Sequence, residues 1–321
     1  MREALISVRV ARKVVEATDI CSFELVPISG ESLPPFSAGA HVDVHIREGV
    51  VRQYSLCNHS DEKHRYQIAV LRDAKSRGGS IAMHEEIQEG SILRISNPKN
   101  HFALAHGAER SLLFAGGIGV TPILCMAQRL ASIGGEFEMH YCTRSRDRTA
   151  FIGRIEESGF SARVRFHFDD GDPAQRLDLM DLIARPVPKV HIYVCGPGPF
   201  IDWVTGTARS RGWPNDQVHV EFFKVDLQPE VAAETFEVQL ASSGKCYVVP
   251  PDTSVLQVLL DNGIEIQSSC EQGVCGTCMT RVLEGVPDHR DVYLTEEEHA
   301  RNDRFTPCCS RSKSAKLILD I

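Results

Sequence analysis

A chain of 321 residues, 42% hydrophobic and 24% charged, has the composition of a globular protein of two or three domains. Its net charge of −8 tells against nucleic acid, because a duplex binder needs a basic patch to displace counterions. No apolar run approaches the roughly 18 residues that cross a bilayer, and no basic-then-apolar leader opens the chain, so no membrane segment and a cytoplasmic location are expected.

Residues 1–104 read as short β-strands. Leu5-Ile6-Ser7-Val8-Arg9-Val10, Ser22-Phe23-Glu24-Leu25-Val26 and His41-Val42-Asp43-Val44-His45-Ile46 alternate apolar with polar, as half-buried strands do. Ser29-Gly30, Pro34-Pro35, Gly39 and Glu48-Gly49 mark turns between them. Regular spacing of short strands predicts a small antiparallel β-barrel.

The pattern changes over 105–226. Ser111-Leu112-Leu113-Phe114-Ala115 is a continuous apolar run, as expected of a strand buried on both faces. A glycine-rich turn and a helix over Pro122–Leu130 follow. Further strands are predicted at 137–141, 164–168 and 190–194, with helical stretches between them. Alternating β and α predicts an α/β domain with a parallel sheet.

Residues 227–233 read as a linker, and 234–321 as a third domain. That domain opens on an alternating strand at 235–240. Asp252-Thr253-Ser254 then caps a helix that stops at Asn262-Gly263, and the chain ends on a strand over 315–319. From Glu234 onward it holds 14 acids and 8 bases. That excess is either a solvated acidic surface or a field that steers a basic partner.

Eleven cysteines are many without a secretory leader. Cys21, Cys57, Cys125, Cys142 and Cys246 are scattered in apolar or strand-like sequence, where a thiol serves as a small hydrophobe. Cys270, Cys275 and Cys278 instead form a C-x4-C-x2-C loop, with Cys308 after 29 further residues. This is plant-type [2Fe-2S] spacing, in which a distant fourth thiolate completes the set. Four thiolates also suit zinc, but zinc ribbons use two short C-x2-C knuckles, and this chain has one three-cysteine loop and a lone partner. Spacing favours Cys308 over its neighbour Cys309 as the fourth ligand, leaving Cys309 to face the interior. The region from Glu234 to Ile321, with the loop Ser268-Ser269-Cys270-Glu271-Gln272-Gly273-Val274-Cys275-Gly276-Thr277-Cys278, resembles a plant-type ferredoxin, an α+β fold of the β-grasp kind.

Ala115-Gly116-Gly117-Ile118-Gly119-Val120-Thr121-Pro122 joins the buried strand to a helix. It is either a tight βα connection or a loop that closes on a pyrophosphate at a helix N-terminus. Pro122 suits the first helical position. Cys195-Gly196-Pro197-Gly198 follows a later apolar strand, at the edge where open α/β sheets bind ligands. The Gly-Gly-x-Gly-x-Thr-Pro and Cys-Gly-Pro motifs are similar to those of the ferredoxin-NADP reductase superfamily. The resemblance implies nucleotide contacts at Gly116, Gly117, Gly119, Thr121, Gly196 and Pro197, with Cys195 beside the nicotinamide carbon that gives up hydride. For the nucleotide itself, Arg144, Arg146 and Arg148 could receive a 2′-phosphate, whereas Asp169 and Asp170 would repel one and could accept from a 2′-hydroxyl, so these residues leave NADH and NADPH both open.

Arg52-Gln53-Tyr54-Ser55-Leu56 resembles the Arg-x-Tyr-Ser motif of the same superfamily, whose first domain is a flavin-binding barrel. The resemblance places Arg52 on a flavin phosphate, Tyr54 over the flavin or its ribityl chain, Ser55 near N5, and Leu56 among the contacts. Arg77-Gly78-Gly79-Ser80 precedes a short predicted helix at 81–86, so that Gly78, Gly79 and Ser80 would hold the phosphate. Ala69, Val70 and Arg72 would touch the ring. An aromatic in Glu221-Phe222-Phe223 would cover the flavin where nicotinamide enters, with Phe223 the candidate; both phenylalanines could equally be core.

The order flavin barrel, nucleotide domain, ferredoxin resembles the phthalate dioxygenase reductase family, which includes vanillate O-demethylase reductase subunits. That resemblance implies FMN, NADH as donor, and a Rieske-type oxygenase as acceptor. The electron count agrees: NADH gives two electrons at once, a [2Fe-2S] cluster takes one at a time, and flavin handles both. Ser55, Cys195 and Phe223 are then the catalytic candidates. Another acceptor, such as a diiron monooxygenase, and a non-enzymatic scaffold stapled by a cluster or zinc are the competing readings.

Overall fold

Six strands build the first sheet: β1 (Ile6–Ala17), β2 (Ile20–Pro27), β3 (His41–Arg47), β4 (Val50–Ser55), β5 (Tyr66–Leu71) and β6 (Ile92–Ile95). The computed structural model describes residues 5–73, 78–223, 234–268, 270–271 and 273–321. The expected linker 227–233, and Arg77, Ser269 and Gln272 of the expected motifs, lie outside the described residues. Strand order is β4-β3-β6-β1-β2-β5, antiparallel throughout. A bridge between Leu56 and Ile68 joins the two edge strands and closes the barrel. Alternate side chains, among them Val8, Val10, Phe23, Leu25, Val42 and Val44, fill its core. The helix α1 (Gly79–Glu85) contributes Ala82 and Met83 to that core. It starts two residues earlier than the sequence predicts, because Gly78 enters it at φ 85°, a conformation open to glycine.

The second sheet is parallel. It contains β7 (Arg110–Gly116), β8 (Glu136–Thr143), β9 (Val164–Phe168), β10 (Val190–Gly196) and β11 (Val218–Phe222), in the order β11-β10-β7-β8-β9. Four helices connect or cover it: α2 (Val120–Ser132), α3 (Ile152–Glu156), α4 (Leu179–Leu182) and α5 (Gly198–Ser210). The continuous apolar run of β7 divides between two cores. Leu113 and Ala115 pack with α2, while Leu112 and Phe114 pack with α4 and α5. Strand order reverses between β7 and β10, and both glycine motifs follow these two strands, at the crevice where such sheets bind ligands. Pro122 is the third residue of α2 and not its first, because a single 3-10 turn at Gly117–Gly119 leads straight into Val120. Ile20, Cys57, Ala69 and Phe102 from the barrel side share a core with α2, so barrel and sheet form one compact unit over 1–223.

The second unit covers 224–321. Its strands are β12 (Phe236–Leu240), β13 (Cys246–Val249), β14 (Thr280–Glu284), β15 (Pro287–Asp288), β16 (Arg304–Phe305), β17 (Arg311–Ser312) and β18 (Lys316–Leu319). The main sheet runs β13-β12-β18-β14-β16, and β15 pairs with β17. Helix α6 (Val255–Asp261) packs Val255, Val258 and Leu259 onto the sheet. Its cap is the expected one: Ser254 Oγ accepts from the Gln257 N–H at 3.1 Å. Helix α7 (Glu296–Arg301) starts with a capping box formed by Thr295 and Glu298. Among the described residues no helix is long and apolar enough to cross a membrane.

Candidate active site and cluster site

Three side chains from three strands converge in the first unit. Ser55 ends β4, Cys195 lies near the end of β10, and Glu221 is its register partner on β11. Ser55 Oγ donates to Glu221 Oε2 at 3.4 Å. Burial pushes the Glu221 carboxyl up to about 8, and the Ser55 hydrogen bond only partly opposes this. Burial, then the neighbouring Glu221, raises the Cys195 thiol, which therefore stays protonated. Glu221 was absent from the expected site. Its signal was available as the one acid in an otherwise strand-like His219-Val220-Glu221-Phe222-Phe223 run. The two phenylalanines diverge: Phe222 packs with the core under α5, and Phe223 with the core shared by barrel and sheet. Phe223 thus lies on the barrel's side of the sheet.

The glycine motifs pack against one another so closely that side chains are excluded. A Cβ on Gly119 would stand 2.2 Å from the Cys195 carbonyl oxygen. One on Gly196 would stand 2.9 Å from Gly116 Cα, and one on Gly116 would meet Phe200 at 2.8 Å and Pro197 at 3.0 Å. Gly117, at φ 53°, instead faces open space, leaving its backbone approachable. Thr121 is buried, and its hydroxyl donates to the Ile118 carbonyl at 3.1 Å, so its side chain braces the loop. Arg146 pairs with Glu156 at 2.8 Å and Arg148 with Asp19 at 3.3 Å, which diminishes both as phosphate ligands. Backbone N–H groups of Asp169 and Asp170 donate to the carbonyls of Thr143 and Arg144, which sets the two acids beside the end of β8.

On the barrel, the stem of Arg52 lies against the start of α1. A Cβ on Gly79 would meet Arg52 Cγ at 2.7 Å and Nε at 2.9 Å. Gly78 offers no side-chain cap to the helix, and a Cβ there would be 3.4 Å from an Arg47 nitrogen. The start of α1 beside the Arg52 guanidinium fits the phosphate of a flavin nucleotide, whereas Arg47 is already paired with Glu86 at 2.8 Å. Ser80 Oγ accepts from the Asp73 N–H at 3.2 Å. Tyr54 packs against the barrel core, and burial raises its hydroxyl. Leu56, Ala69 and Val70 are buried, so their contribution to a ligand is backbone. Arg72 is exposed and its guanidinium pairs with Glu85 at 2.6 Å, which turns it toward α1.

In the second unit, Cys270, Cys275, Cys278 and Cys308 are all buried. Their side chains associate in pairs, Cys270 with Cys275 and Cys278 with Cys308. Two thiol pairs, one wholly from the loop and one bridging to the distant segment, suit two irons. Hydrogen bonds from Cys270 hold Cys275 down to about 5 against burial, with Thr277 helping, which favours the thiolate that iron needs. Gly276 (φ 66°) lies under the Tyr293 ring, 2.3 Å from where its Cβ would be, and Gly273 (φ 73°) leaves room for Cys309 Sγ at 2.5 Å. Cys309 is buried, with its sulfur 3.2 Å from Thr306 Oγ1 and its side chain also hydrogen-bonded to Cys308, so it borders the ligand set.

Comparison with known proteins agrees with this division. Residues 238–313 match the family model of the 2Fe-2S iron-sulfur cluster binding domain. The chain is 55% identical over 307 residues to the vanillate O-demethylase oxidoreductase of Pseudomonas putida, covering 95% of this chain and 96% of that protein. It is 39% identical over 320 residues to the phthalate dioxygenase reductase of Burkholderia cepacia, covering 99% and 98%. A solved phthalate dioxygenase reductase, described as a modular structure for electron transfer from pyridine nucleotides to [2Fe-2S], superimposes with a TM-score of 0.81 over 99% of this chain and 98% of that one. Whole-length identity of this order leaves no place for the scaffold reading. The chain belongs to the phthalate dioxygenase reductase family, oxidoreductases that combine NADH, FMN and a [2Fe-2S] cluster in one polypeptide and serve as reductase components of oxygenase and demethylase systems.

Proposed function

We propose that this chain is the cytoplasmic reductase of a Rieske-type aromatic-ring oxygenase or O-demethylase. Its proposed division is a flavin barrel over 1–104, a nucleotide domain over 105–226 and a ferredoxin domain over 234–321. The observation that carries the reading is the convergence of Ser55, Cys195 and Glu221 where the barrel meets the switch point of the parallel sheet.

When bound, FMN takes hydride from NADH and the [2Fe-2S] cluster passes electrons singly. Arg52 and the backbone of Gly78 and Gly79 anchor the flavin phosphate. Gly116, Gly117, Gly119, Gly196 and Pro197 shape the nucleotide's seat, and Asp169 and Asp170 select against a 2′-phosphate. Cys195, kept as a neutral thiol, packs beside the reacting carbon without adding charge. Glu221, neutral in the half-buried site, holds a proton within reach of Ser55 Oγ; with its own O–H turned to that oxygen it can pass the proton on and recover it. Phe223 guards the approach from the barrel side. Cys270, Cys275, Cys278 and Cys308 hold the cluster.

The test is an anaerobic NADH titration of the purified protein, followed by mixing with a Rieske oxygenase encoded nearby. Flavin and cluster bands should bleach with NADH, and the oxygenase's Rieske signal should then appear reduced. A cluster that bleaches while the Rieske protein stays oxidised and a diiron monooxygenase is reduced would overturn the acceptor assigned here.

A further inference from the structure

Beside the cluster loop, the segment that follows β15 and the helix α7 bring together three side chains that the electron path does not use. Asp291 is completely buried, His289 is 8% exposed and His299 is 27% exposed. One ligand atom from each lies within 4.8 Å of the other two. We propose that His289 Nδ1, an Asp291 carboxylate oxygen and His299 Nε2 form a binding site for one divalent transition-metal ion, zinc above all.

The tautomer of His289 is fixed by its surroundings. Asn302, left-handed at φ 52°, turns its amide so that Nδ2 donates to the Ala300 carbonyl at 3.4 Å. Its Oδ1 therefore accepts, and His289 Nε2, 3.3 Å away, carries the proton. The bare lone pair is on Nδ1, which is buried with no hydrogen-bond partner. It faces Asp291 Oδ1 at 3.8 Å. A lone pair and a carboxylate sharing a dry pocket need a positive charge between them. A proton on His289 is disfavoured by burial and by the adjacent His299, and the two rings are stacked with centroids 4.3 Å apart, an arrangement that suits neutral imidazoles. A metal ion supplies the charge without either cost.

The remaining geometry suits zinc. Tetrahedral ligands about 2.0–2.2 Å from zinc stand roughly 3.3–3.5 Å from one another. His299 Nε2 and Asp291 Oδ2 are already 3.3 Å apart, hydrogen-bonded to each other while the site is empty, so a metal ion would displace that one proton. The carboxylate is oriented by the Leu294 N–H at 2.8 Å on one oxygen and by the Ser310 hydroxyl at 3.3 Å on the other, the outer support that metal-bound carboxylates use. Partial exposure of His299 provides an entry path and a fourth position for water. The site borders the cluster loop: the Val292 N–H donates to the Gly273 carbonyl at 3.1 Å, and the Arg290 N–H donates to Ser310 Oγ at 3.1 Å. A metal there would fasten the wall on which the cluster loop rests.

The experiment uses tag-free holoenzyme with its full iron content, titrated with zinc chloride against a chelator of known affinity. One equivalent should bind, with an X-ray absorption shell of nitrogen and oxygen and no sulfur. His299→Ala should weaken binding at least about tenfold while cluster content is unchanged. Zinc with sulfur neighbours, no bound zinc, or unchanged affinity in His299→Ala would overturn the proposal. Wild-type crystals soaked in zinc give a check that needs no variant: an anomalous peak among His289, Asp291 and His299 supports the site, and its absence there refutes it.

Discussion

Ser55 Oγ, at the end of β4, lies 3.4 Å from Glu221 Oε2, near the end of β11. One hydrogen bond thus ties the last residue of a barrel strand to a half-buried acid of the parallel sheet. Ser55 comes from a recognisable motif, whereas Glu221 is 166 positions away and has no motif of its own. The pair exists because both strands end at the same crevice.

That burial makes stability depend on pH. The Glu221 carboxyl is raised from 4.5 to about 8. Between those values the folded chain keeps a proton that the unfolded chain has lost, so stability falls as pH rises through this window, by up to about 1.4 kcal/mol per unit. Below it both states are protonated and the penalty is absent; above it the penalty is complete. Melting temperatures measured from pH 5 to 8 should decline less steeply for Glu221→Gln than for the parent. Dye reduction by NADH should fall by about tenfold to a thousandfold in the same variant, because glutamine keeps the shape but releases no proton. Parallel melting curves would show that Glu221 is ionised in the folded protein.

Gly119 adopts an ordinary helical φ of −60°, so alanine is tolerated there by the backbone. The obstacle is the Cys195 carbonyl, 2.2 Å from the new Cβ. Backbone cannot rotate away as a flexible side chain would, and the two nucleotide loops must separate. Gly119→Ala should cost about 1–3 kcal/mol in stability and raise the KM for NADH, with FMN content unchanged because the barrel is untouched. Calorimetry, steady-state kinetics and released-flavin fluorescence read these three quantities. Loss of FMN together with NADH affinity would show that the loops support the barrel as well.

On the barrel, Gly79→Ala should act through Arg52. The new Cβ falls 2.7 Å from Arg52 Cγ, close to the rigid start of the side chain, and would push the guanidinium off its position. FMN affinity should drop by about tenfold, and Arg52→Ala should drop it further, each losing a charge-assisted contact worth about 1.5–3 kcal/mol. If Arg52→Ala retained full FMN after dialysis, Arg47, whose terminal nitrogen lies beside Gly78, would be the better phosphate ligand.

Much of this was legible because local chemistry demanded particular residues. The β7 run had to be buried on both faces, and it is split between two cores. The Ser254 cap, the two glycine motifs at strand ends and the burial of the three-cysteine loop follow from backbone hydrogen bonding and close approach. Three features were hidden. Thr121 is expected as a nucleotide contact, and the structure adds that its hydroxyl braces the loop through Ile118, which depends on a side-chain rotamer. Arg72 is expected at the flavin ring by backbone or side chain, and the structure adds a salt bridge to Glu85 that no motif announces. Glu221 escaped notice because an acid in a strand ordinarily faces water, and only the packed barrel shows that this one is half-buried against Ser55.

Adjacent Cys308 and Cys309 offer the sharpest division of roles. Cys308 contacts both Cys278 and Cys309, whereas Cys309 adds contacts with Thr306, Ser310 and Gly273. Cys309→Ser should keep the iron content and shift only the cluster's potential, since the change is at its hydrogen-bonded surroundings. Cys308→Ser and Cys278→Ser should each lose the cluster, because one iron is left with a single thiolate partner. NADH-to-dye activity should survive in both, since the flavin and nucleotide motifs belong to the unit over 1–223 and the thiolates to the one over 224–321. Iron analysis, the low-temperature electron paramagnetic resonance of the reduced protein, and ferricyanide reduction distinguish these outcomes. Iron lost from Cys309→Ser and kept in Cys308→Ser would exchange the two assignments, and dye reduction abolished with the cluster would place the cluster before the flavin in the electron path.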